Sequence, residues 1–237
     1  MAISAIHLWG DSLAKGVVFD DARGRYCITP DRFVLRLEES LGMPVINHAR
    51  MGAIVTEGYA DFLQTAPEPG NLVVIEYGGN DCDMPWKDVA ENPEGLYEGR
   101  LPIEEFTNTL RQFVDAVRAR GMLPLLVTPT PLEAQRYFDW VTKGISQERV
   151  LQFLGDVQHI YRWQERYSIA IRTVAIEKDC VLFDMRDVFL ATRRYPELFC
   201  IDGIHPNAQG HALIAESVLA QKDRLATALY ARETSPA

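Results

Sequence analysis

The sequence lacks any long hydrophobic run: no stretch of about 18 consecutive apolar residues occurs in its 237 residues. A helix that crosses a bilayer needs about 20 such residues, so the sequence predicts no membrane span. The first residues, MAISAIH, also lack the basic start of a secretory signal. We therefore expect a cytoplasmic protein without a signal peptide.

Cysteine is scarce, and its spacing fits neither a metal site nor a disulfide framework. The four cysteines form no CxxC pair, so we expect free thiols in a reducing compartment. The sequence also contains no HExxH motif and no EF-hand loop. No metal is therefore expected, and Asp81 and Asp83 are interpreted as solvated acids of a loop.

Positive charge is in deficit as well. The chain has 24 Lys and Arg against 33 Asp and Glu, which gives a formal net charge of −9. Because nucleic acids are bound mainly through Lys and Arg, this composition argues against a nucleic-acid partner. The absence of GxxxxGK[ST] and GxSxG motifs further argues against a P-loop protein and a standard nucleophile-elbow hydrolase.

Apolar runs alternate with helical patterns along the whole sequence. Strands are predicted at residues 3–9, 44–48, 72–77, 123–128 and 181–185, and helices at 31–41, 102–120, 146–178 and 206–230. Strands that are each followed by a helical stretch indicate an α/β fold, with a parallel sheet covered by helices on both faces. We expect one domain over residues 1–237, with 232–237 as a frayed tail.

Polar and glycine residues follow the predicted strands. Residues 10–13 read GDSL after the first strand, Gly52 follows the second, residues 78–81 read GGND after the third, and residues 202–206 read DGIHP after the fifth. In parallel sheets of this kind, ligands bind at the carboxyl ends of the strands. A serine, a glycine, an asparagine and an Asp–His pair at that edge are the parts needed for acyl transfer.

These residue types have distinct chemical roles. The Ser12 hydroxyl is a poor nucleophile unless a base such as His205 removes its proton. Pro206 disfavours a helical His205 and suits the first position of the last helix. Asp202 therefore shares a tight loop with His205, where its carboxylate can hold Nδ1–H and leave Nε2 facing Ser12.

Three groups are candidates to stabilise a developing oxyanion. They are the backbone N–H groups of Ser12 and Gly52 and the side-chain amide of Asn80. One such donor contributes on the order of 3 kcal/mol in the transition state.

The four blocks together resemble the SGNH hydrolases, also called the GDSL family of esterases and lipases. GDSL, GxND and DxxH stand in the family's order over residues 10–205, whereas Ala49 and Met51 depart from the common second block. The resemblance implies Ser12 as nucleophile, His205 as base, Asp202 as its orienting partner, and an oxyanion hole of Ser12, Gly52 and Asn80.

The same resemblance implies the fold and the activity. The fold would be a three-layer α/β/α sandwich resembling flavodoxin, with five parallel strands and no metal or organic cofactor. The activity would be hydrolysis of a small-molecule carboxylic ester with a short acyl group through an acyl-enzyme. The alternatives are a lysophospholipase or thioesterase that acts on longer acyl chains, and a non-catalytic binding module.

Each candidate residue also has a purely structural interpretation. Ser12 or Asp202 would then only cap a helix, Asn80 would be a turn residue, and Gly52 would permit a tight turn. His48 and His211 are expected to be structural residues. Five aromatic residues of the two long loops either line a pocket or pack the loops onto the body: Trp86, Tyr97, Tyr137, Phe138 and Trp140.

Overall fold

The computed structural model describes residues 3–65 and 67–233. Its strands are β1 (Ile6–Gly10), β2 (Val17–Asp20), β3 (Arg25–Ile28), β4 (Val45–Asn47), β5 (Leu72–Glu76), β6 (Leu123–Val127) and β7 (Val181–Phe183). Its α-helices are α1 (Ser12–Lys15), α2 (Phe33–Leu41), α3 (Val55–Gln64), α4 (Trp86–Glu91), α5 (Ile103–Ala119), α6 (Ala134–Val141), α7 (Gln147–Leu154), α8 (His159–Glu177), α9 (Met185–Leu190) and α10 (Ala208–Glu233). A short 3-10 helix spans Tyr195–Leu198.

The main sheet has five parallel strands in the order β4-β1-β5-β6-β7. Renumbered among themselves, these strands run 2-1-3-4-5, which is the strand order of flavodoxin. The strand order reverses at β1, which lies between β4 and β5, and ligands of such sheets bind beyond the carboxyl end at this point. The predicted five-stranded α/β fold is confirmed.

Helices cover both faces of the sheet. On one face, α3, α5 and α8 enclose an apolar core with Trp9 of β1 and Ile75 of β5. On the other face, α2 and α10 pack over Leu8 of β1 and Leu125 of β6. Because successive side chains of a strand point to opposite faces, neighbours such as Leu8 and Trp9 enter different cores. This arrangement forms the three-layer sandwich.

Helix α5 shows how the pattern of apolar residues determines packing. Its apolar side chains recur every three or four residues and are fully or almost fully buried: Phe106, Leu110, Phe113, Val114 and Val117. Burial of each such side chain contributes about 1.5–3 kcal/mol, so this face of the helix is held firmly against the sheet.

The single helix predicted at 146–178 is wrong, because the chain forms two helices there. Helix α7 ends at Leu154, and α8 begins at His159. Gly155 lies between them with φ +74° and donates its N–H to the carbonyl of Leu151. A glycine in this left-handed region ends a helix readily, whereas the apolar spacing on both sides continues as if there were no interruption.

The last helix also differs from its prediction. It begins at Ala208, and the Asn207 carboxamide accepts hydrogen bonds from the N–H groups of Gln209 and Gly210 at 3.0 and 3.1 Å. Asn207, and not Pro206, therefore defines the start of α10. The tail predicted at 232–237 begins inside α10, and residues 234–237 lie outside the described residues.

The two long connections that were predicted as loops contain the helices α4 and α6. The antiparallel pair β2 and β3, which the sequence patterns did not predict, follows α1 directly. The hairpin is joined to the end of α1, because the N–H of Thr29, which follows β3, donates to the Gly16 carbonyl at 2.9 Å.

In the described part of the chain, no helix combines the length and the apolar character needed to span a membrane.

Candidate active site

Ser12 and His205 meet at the carboxyl edge of the sheet. Ser12 is the first residue of α1, and its Oγ lies 2.8 Å from Nε2 of His205, which is 193 positions away in the chain. The cap of α1 is the neighbouring Asp11, whose carboxylate accepts the Leu13 N–H at 2.8 Å. Ser12 is therefore not needed as the cap, and its hydroxyl faces the imidazole.

The other ring nitrogen of His205 contacts Asp202. Nδ1 lies 2.6 Å from Oδ2 of Asp202, and Gly203 between the two residues has φ +75°. This backbone conformation folds the loop back on itself as predicted, because glycine adopts it without steric cost. Since Asn207 caps α10, a capping role of Asp202 is not required there.

The Asp202 carboxylate is fully buried and well supplied with donors. Its Oδ1 accepts the backbone N–H groups of Ile204 and His205 at 3.0 and 3.1 Å. Burial by itself raises the pKa of this carboxyl. The hydrogen bonds from His205 and the two backbone groups outweigh that effect and hold the pKa below its ordinary value. Asp202 is therefore a stable carboxylate next to the imidazole.

Tyr26 of β3 also contacts Asp202. Its hydroxyl donates to Oδ2 at 3.0 Å, and its ring centroid lies 5.1 Å from that of His205. Sequence reasoning did not single out this residue. Residues 17–20 read VVFD and residues 25–28 read RYCI, which are short apolar segments with no signal of a site.

Asn80 lies after β5 and borders the same cavity as Ser12 and His205. Its side-chain amide donates to Oδ2 of Asp11 at 3.1 Å and to the carbonyl of Ala53 at 3.3 Å. These two acceptors orient the amide at the edge of the cavity. The Asn80 side chain therefore lies at the edge of the cavity with both amide N–H groups donated to the protein.

Gly52 occupies a tight turn between β4 and α3. It has φ +76°, and its carbonyl accepts a hydrogen bond from the Arg100 guanidinium at 2.9 Å. Among the described residues that line the cavity, Ser12 and Asn80 are present and Gly52 is not. The structure therefore brings together four of the five predicted site residues around the cavity or directly behind it, whereas Gly52 lies in the turn after β4 and does not line the cavity.

Three buried carboxyl groups lie behind Ser12 and Asn80: Asp11, Glu76 and Asp81. Burial raises the pKa of Asp11 to about 6 and that of Asp81 to about 7. Burial and the nearby charge of Asp11 raise the pKa of Glu76 well above its ordinary value. This set of acids therefore holds protons at neutral pH more readily than exposed carboxyl groups do.

The interpretation of Asp81 as a solvated loop acid is wrong. Asp81 is fully buried and accepts the N–H groups of Val55 and Gly78 at 2.8 and 2.9 Å. It thereby joins the end of β5 to the start of α3. Asp83 is not a solvated acid either, because it accepts hydrogen bonds from Tyr137 Oη at 2.6 Å and Trp86 Nε1 at 2.8 Å.

The cavity next to Ser12 has a volume of about 120 Å³. Of the five loop aromatics, Trp86 and Tyr137 line it, and both are held in place by Asp83. Trp140 instead packs against Phe19 of β2, with ring centroids 4.9 Å apart. Trp86 and Tyr137 therefore line a pocket, whereas Trp140 packs its segment onto the body of the protein.

Two other histidines are structural, as expected. His48 stacks on Trp9 at 3.9 Å between ring centroids and contacts the ring nitrogen of His7 at 3.1 Å. His211 is fully buried and stacks on Phe33 at 5.8 Å. Within residues 3–65 and 67–233, no group of three or more His, Cys, Asp or Glu side chains is arranged to hold a metal ion.

A flavodoxin-like sheet with Ser12 and His205 in contact at its carboxyl edge places the protein among the hydrolases of the SGNH type. The sequence model of the GDSL-like Lipase/Acylhydrolase family matches residues 8–213, so the chain belongs to that family and is a hydrolase of ester bonds. The resemblance inferred from the four blocks is thereby confirmed. No curated protein matches the chain at a significant level.

Several solved structures share the fold. The lipase/acylhydrolase from Enterococcus faecalis is 18% identical with a TM-score of 0.60, and the match covers 92% of this chain and 97% of that one. LAE5, an alpha/beta hydrolase enzyme from the metagenome of Lake Arreo, is 21% identical with a TM-score of 0.64 and coverage of 95% and 98%. A catalytic mutant of Axe2, an acetylxylan esterase from Geobacillus stearothermophilus, is 20% identical with a TM-score of 0.61 and coverage of 93% and 96%.

Proposed function

We propose that the protein is a serine esterase that removes a short acyl group from a carbohydrate or another small molecule. The observation that carries this proposal is the continuous contact from Ser12 Oγ through the His205 ring to Asp202, at 2.8 and 2.6 Å. A serine becomes an effective nucleophile when a base at this distance can take its proton and a third group orients the base.

In the proposed reaction, Ser12 Oγ attacks the ester carbonyl carbon as His205 Nε2 takes the hydroxyl proton. Asp202 holds Nδ1–H and stabilises the positive charge that forms on the ring. The C–O bond to the leaving alcohol then breaks, and His205 returns the proton to that oxygen. Water, activated by the same nitrogen, attacks the acyl-enzyme and releases the carboxylic acid and free Ser12.

The negative charge on the carbonyl oxygen needs donors in both steps. The side chain of Asn80 and the backbone N–H groups of Ser12 and Gly52 are our candidates for this oxyanion hole. Asn80 is supported by its position, because it lines the cavity together with Ser12 and His205. Its two amide N–H groups are donated to Asp11 and Ala53 in this structure, so one of these bonds has to be exchanged for a bond to the oxyanion.

The size of the cavity supports a short acyl group. Its volume of about 120 Å³ is well below the roughly 300–1,000 Å³ of pockets that enclose drug-sized ligands. The structural neighbour Axe2, which is an acetylxylan esterase, is consistent with an acetylated carbohydrate as the substrate class.

A second cavity favours the alternative of longer acyl chains. It has a volume of about 390 Å³, lies between the sheet and the helices α2 and α10, and is lined mainly by aliphatic side chains. Leu13 and Glu76 line both cavities. A series of p-nitrophenyl esters separates the two candidates: a maximum of kcat/KM at C2 supports deacetylation, and a maximum beyond C8 supports a lipid substrate.

The decisive test is covalent labelling with a fluorophosphonate probe together with hydrolysis of p-nitrophenyl acetate. We expect the probe to attach to Ser12, and Ser12→Ala to lose both labelling and about 10⁴-fold or more in kcat. Ser146→Ala, at the start of α7, is a matched control that should retain both. Labelling that persists in Ser12→Ala would show that another residue reacts and would refute Ser12 as the nucleophile. A wild-type protein that is neither labelled nor active would indicate the non-catalytic module instead.

We also propose that the chain acts as one hydrolase domain in the cytoplasm. All four cysteines are free, namely Cys27, Cys82, Cys180 and Cys200, which is the usual state in a reducing compartment. Cell fractionation with an antibody to the protein tests the location, and a single cooperative unfolding transition tests the domain count.

A further inference from the structure

The Asp202 carboxylate receives four hydrogen bonds, and one of them comes from outside the sequence blocks described above. Oδ1 accepts two backbone N–H groups, whereas Oδ2 is shared by His205 Nδ1 at 2.6 Å and the Tyr26 hydroxyl at 3.0 Å. We propose that Tyr26 is a positioning residue for the Asp202–His205 pair. This inference rests on the proposed esterase function.

The physical basis is the number of acceptor sites on one oxygen. A carboxylate oxygen has two lone pairs, so Tyr26 and His205 together occupy those of Oδ2. Both bonds involve a charged acceptor and are therefore stronger than bonds between neutral groups. With the Tyr26 hydroxyl in place, Oδ2 can accept the imidazole proton in one direction only, which holds the ring with Nε2 toward Ser12.

Tyr26 can serve only as the donor in this contact. Burial and the negative charge of Asp202 raise the pKa of its phenol, so the proton stays on the tyrosine oxygen. The hydroxyl consequently stabilises the carboxylate form of Asp202 without giving up its proton. Burial raises the pKa of Cys200, two positions before Asp202, to about 11, so its thiol adds no charge near neutral pH.

The side chain of Tyr26 is itself held by neighbouring aromatic rings. Phe19 is its partner across the β2–β3 pair, and the two rings contact edge to face with centroids 5.2 Å apart. The ring of Trp140 of α6 lies 6.1 Å from that of Tyr26 and 4.9 Å from that of Phe19, so the three rings form one cluster. The phenol is thus fixed before any substrate binds, as a positioning group requires.

The β2–β3 hairpin is also attached to both halves of the site. The Thr29 N–H bonds to Gly16 at the end of the helix that begins with Ser12. The Phe19 N–H lies 3.5 Å from Sγ of Cys200, at the start of the Asp202 loop. A hairpin bonded at these two places holds Tyr26 at a fixed position relative to Ser12 and His205.

The test uses Tyr26→Phe, which removes one hydroxyl and keeps the ring contacts. Because Tyr26 is not among the described residues that line the cavity, KM for p-nitrophenyl acetate should stay within about two-fold. We expect kcat to fall about 10-fold, as for one hydrogen bond to a charged group. Tyr97→Phe is the matched control, since it removes a hydroxyl that donates only to the backbone carbonyls of Asp88 and Asn92.

A second readout does not depend on turnover. The proton between His205 Nδ1 and Asp202 gives a far-downfield NMR resonance, which should shift in Tyr26→Phe and stay in place in Tyr97→Phe. A resonance and a kcat that are both unchanged in folded Tyr26→Phe overturn the proposal. If instead the wild-type protein neither hydrolyses esters nor reacts with the fluorophosphonate, the esterase function fails, while the resonance still reports the contact of Tyr26 with Asp202.

Discussion

Replacing Asp81 by asparagine should remove a large part of the pH dependence of stability. Burial raises the pKa of this carboxyl from 3.8 to about 7 in the folded protein. The folded state therefore binds the proton more tightly than the unfolded chain between these two values. Because the native state holds more protons, the free energy of unfolding falls as the pH rises through this range.

The magnitude follows from the size of the shift. A difference of about 3 pKa units at 1.36 kcal/mol per unit corresponds to about 4 kcal/mol. This stabilisation is fully present below about pH 4 and is lost by about pH 8. An asparagine side chain does not titrate, so the variant lacks this contribution to the pH dependence of the free energy of unfolding.

The variant also loses one good hydrogen bond. Asp81 accepts the N–H groups of Val55 and Gly78 with different oxygens, and an asparagine amide can accept only one of them. Leaving the other buried N–H without an acceptor costs about 1–3 kcal/mol. Asp81→Asn should therefore be less stable than the wild type at about pH 5, and as stable or more stable at about pH 8.5.

Urea unfolding at several pH values between these limits measures the effect. Asp223→Asn, an exposed carboxylate of α10, is the control and should leave the wild-type curve unchanged. Stability curves of wild type and Asp81→Asn that run parallel over the whole range would refute the assignment of the buried proton to Asp81.

Three further predictions concern the site. Asp202→Asn should lower kcat about 10³–10⁴-fold in ester hydrolysis, because an amide no longer selects the His205 tautomer with Nδ1–H; loss of less than ten-fold would contradict the role of the carboxylate. Asn80→Ala should lower kcat about 10²–10³-fold with a small change in KM, and equal losses of binding and turnover would argue against an oxyanion role. Gly203→Ala should lower both the melting temperature and kcat, since the residue has φ +75° and a Cβ would lie 2.7 Å from the Glu133 carbonyl oxygen; an unchanged melting temperature would show that the loop relaxes freely.

The site depends on the strand order as much as on the residues themselves. Ser12 follows β1, and β1 lies between β4 and β5, so the turns after these neighbouring strands flank the serine. Gly52 and Asn80 belong to the connections that follow β4 and β5. A different strand order with the same sequence blocks would separate these residues by one strand spacing, about 4.8 Å, or more.

Much of the fold was predictable because it depends on local patterns. The continuous apolar runs of β5 and β6 identify strands that are covered on both faces, and their ends lie within one or two residues of the prediction. The spacing in α5 identifies its buried face in the same way. Local signals failed at Gly155, where the apolar spacing of α7 and α8 hides a break of the helix.

Other features have no local signal. Acidic residues after a strand are usually exposed, so nothing in residues 78–83 indicates that Asp81 is fully buried between two backbone N–H groups. Tyr26 likewise lies in a short apolar segment, RYCI, that carries no signal of a site. Its contact with Asp202 joins positions 176 apart in the chain.

The sequence by itself determined the parallel α/β architecture, the positions of the strand ends and the chemical types that stand there, because periodicity and motif order are properties of neighbouring residues. Only the tertiary structure decided the distance from Ser12 to His205, the burial of the acids behind them, and the contact of Tyr26 with Asp202. Those features arise from the strand order and from the packing of distant segments, which bring together groups that no local pattern relates.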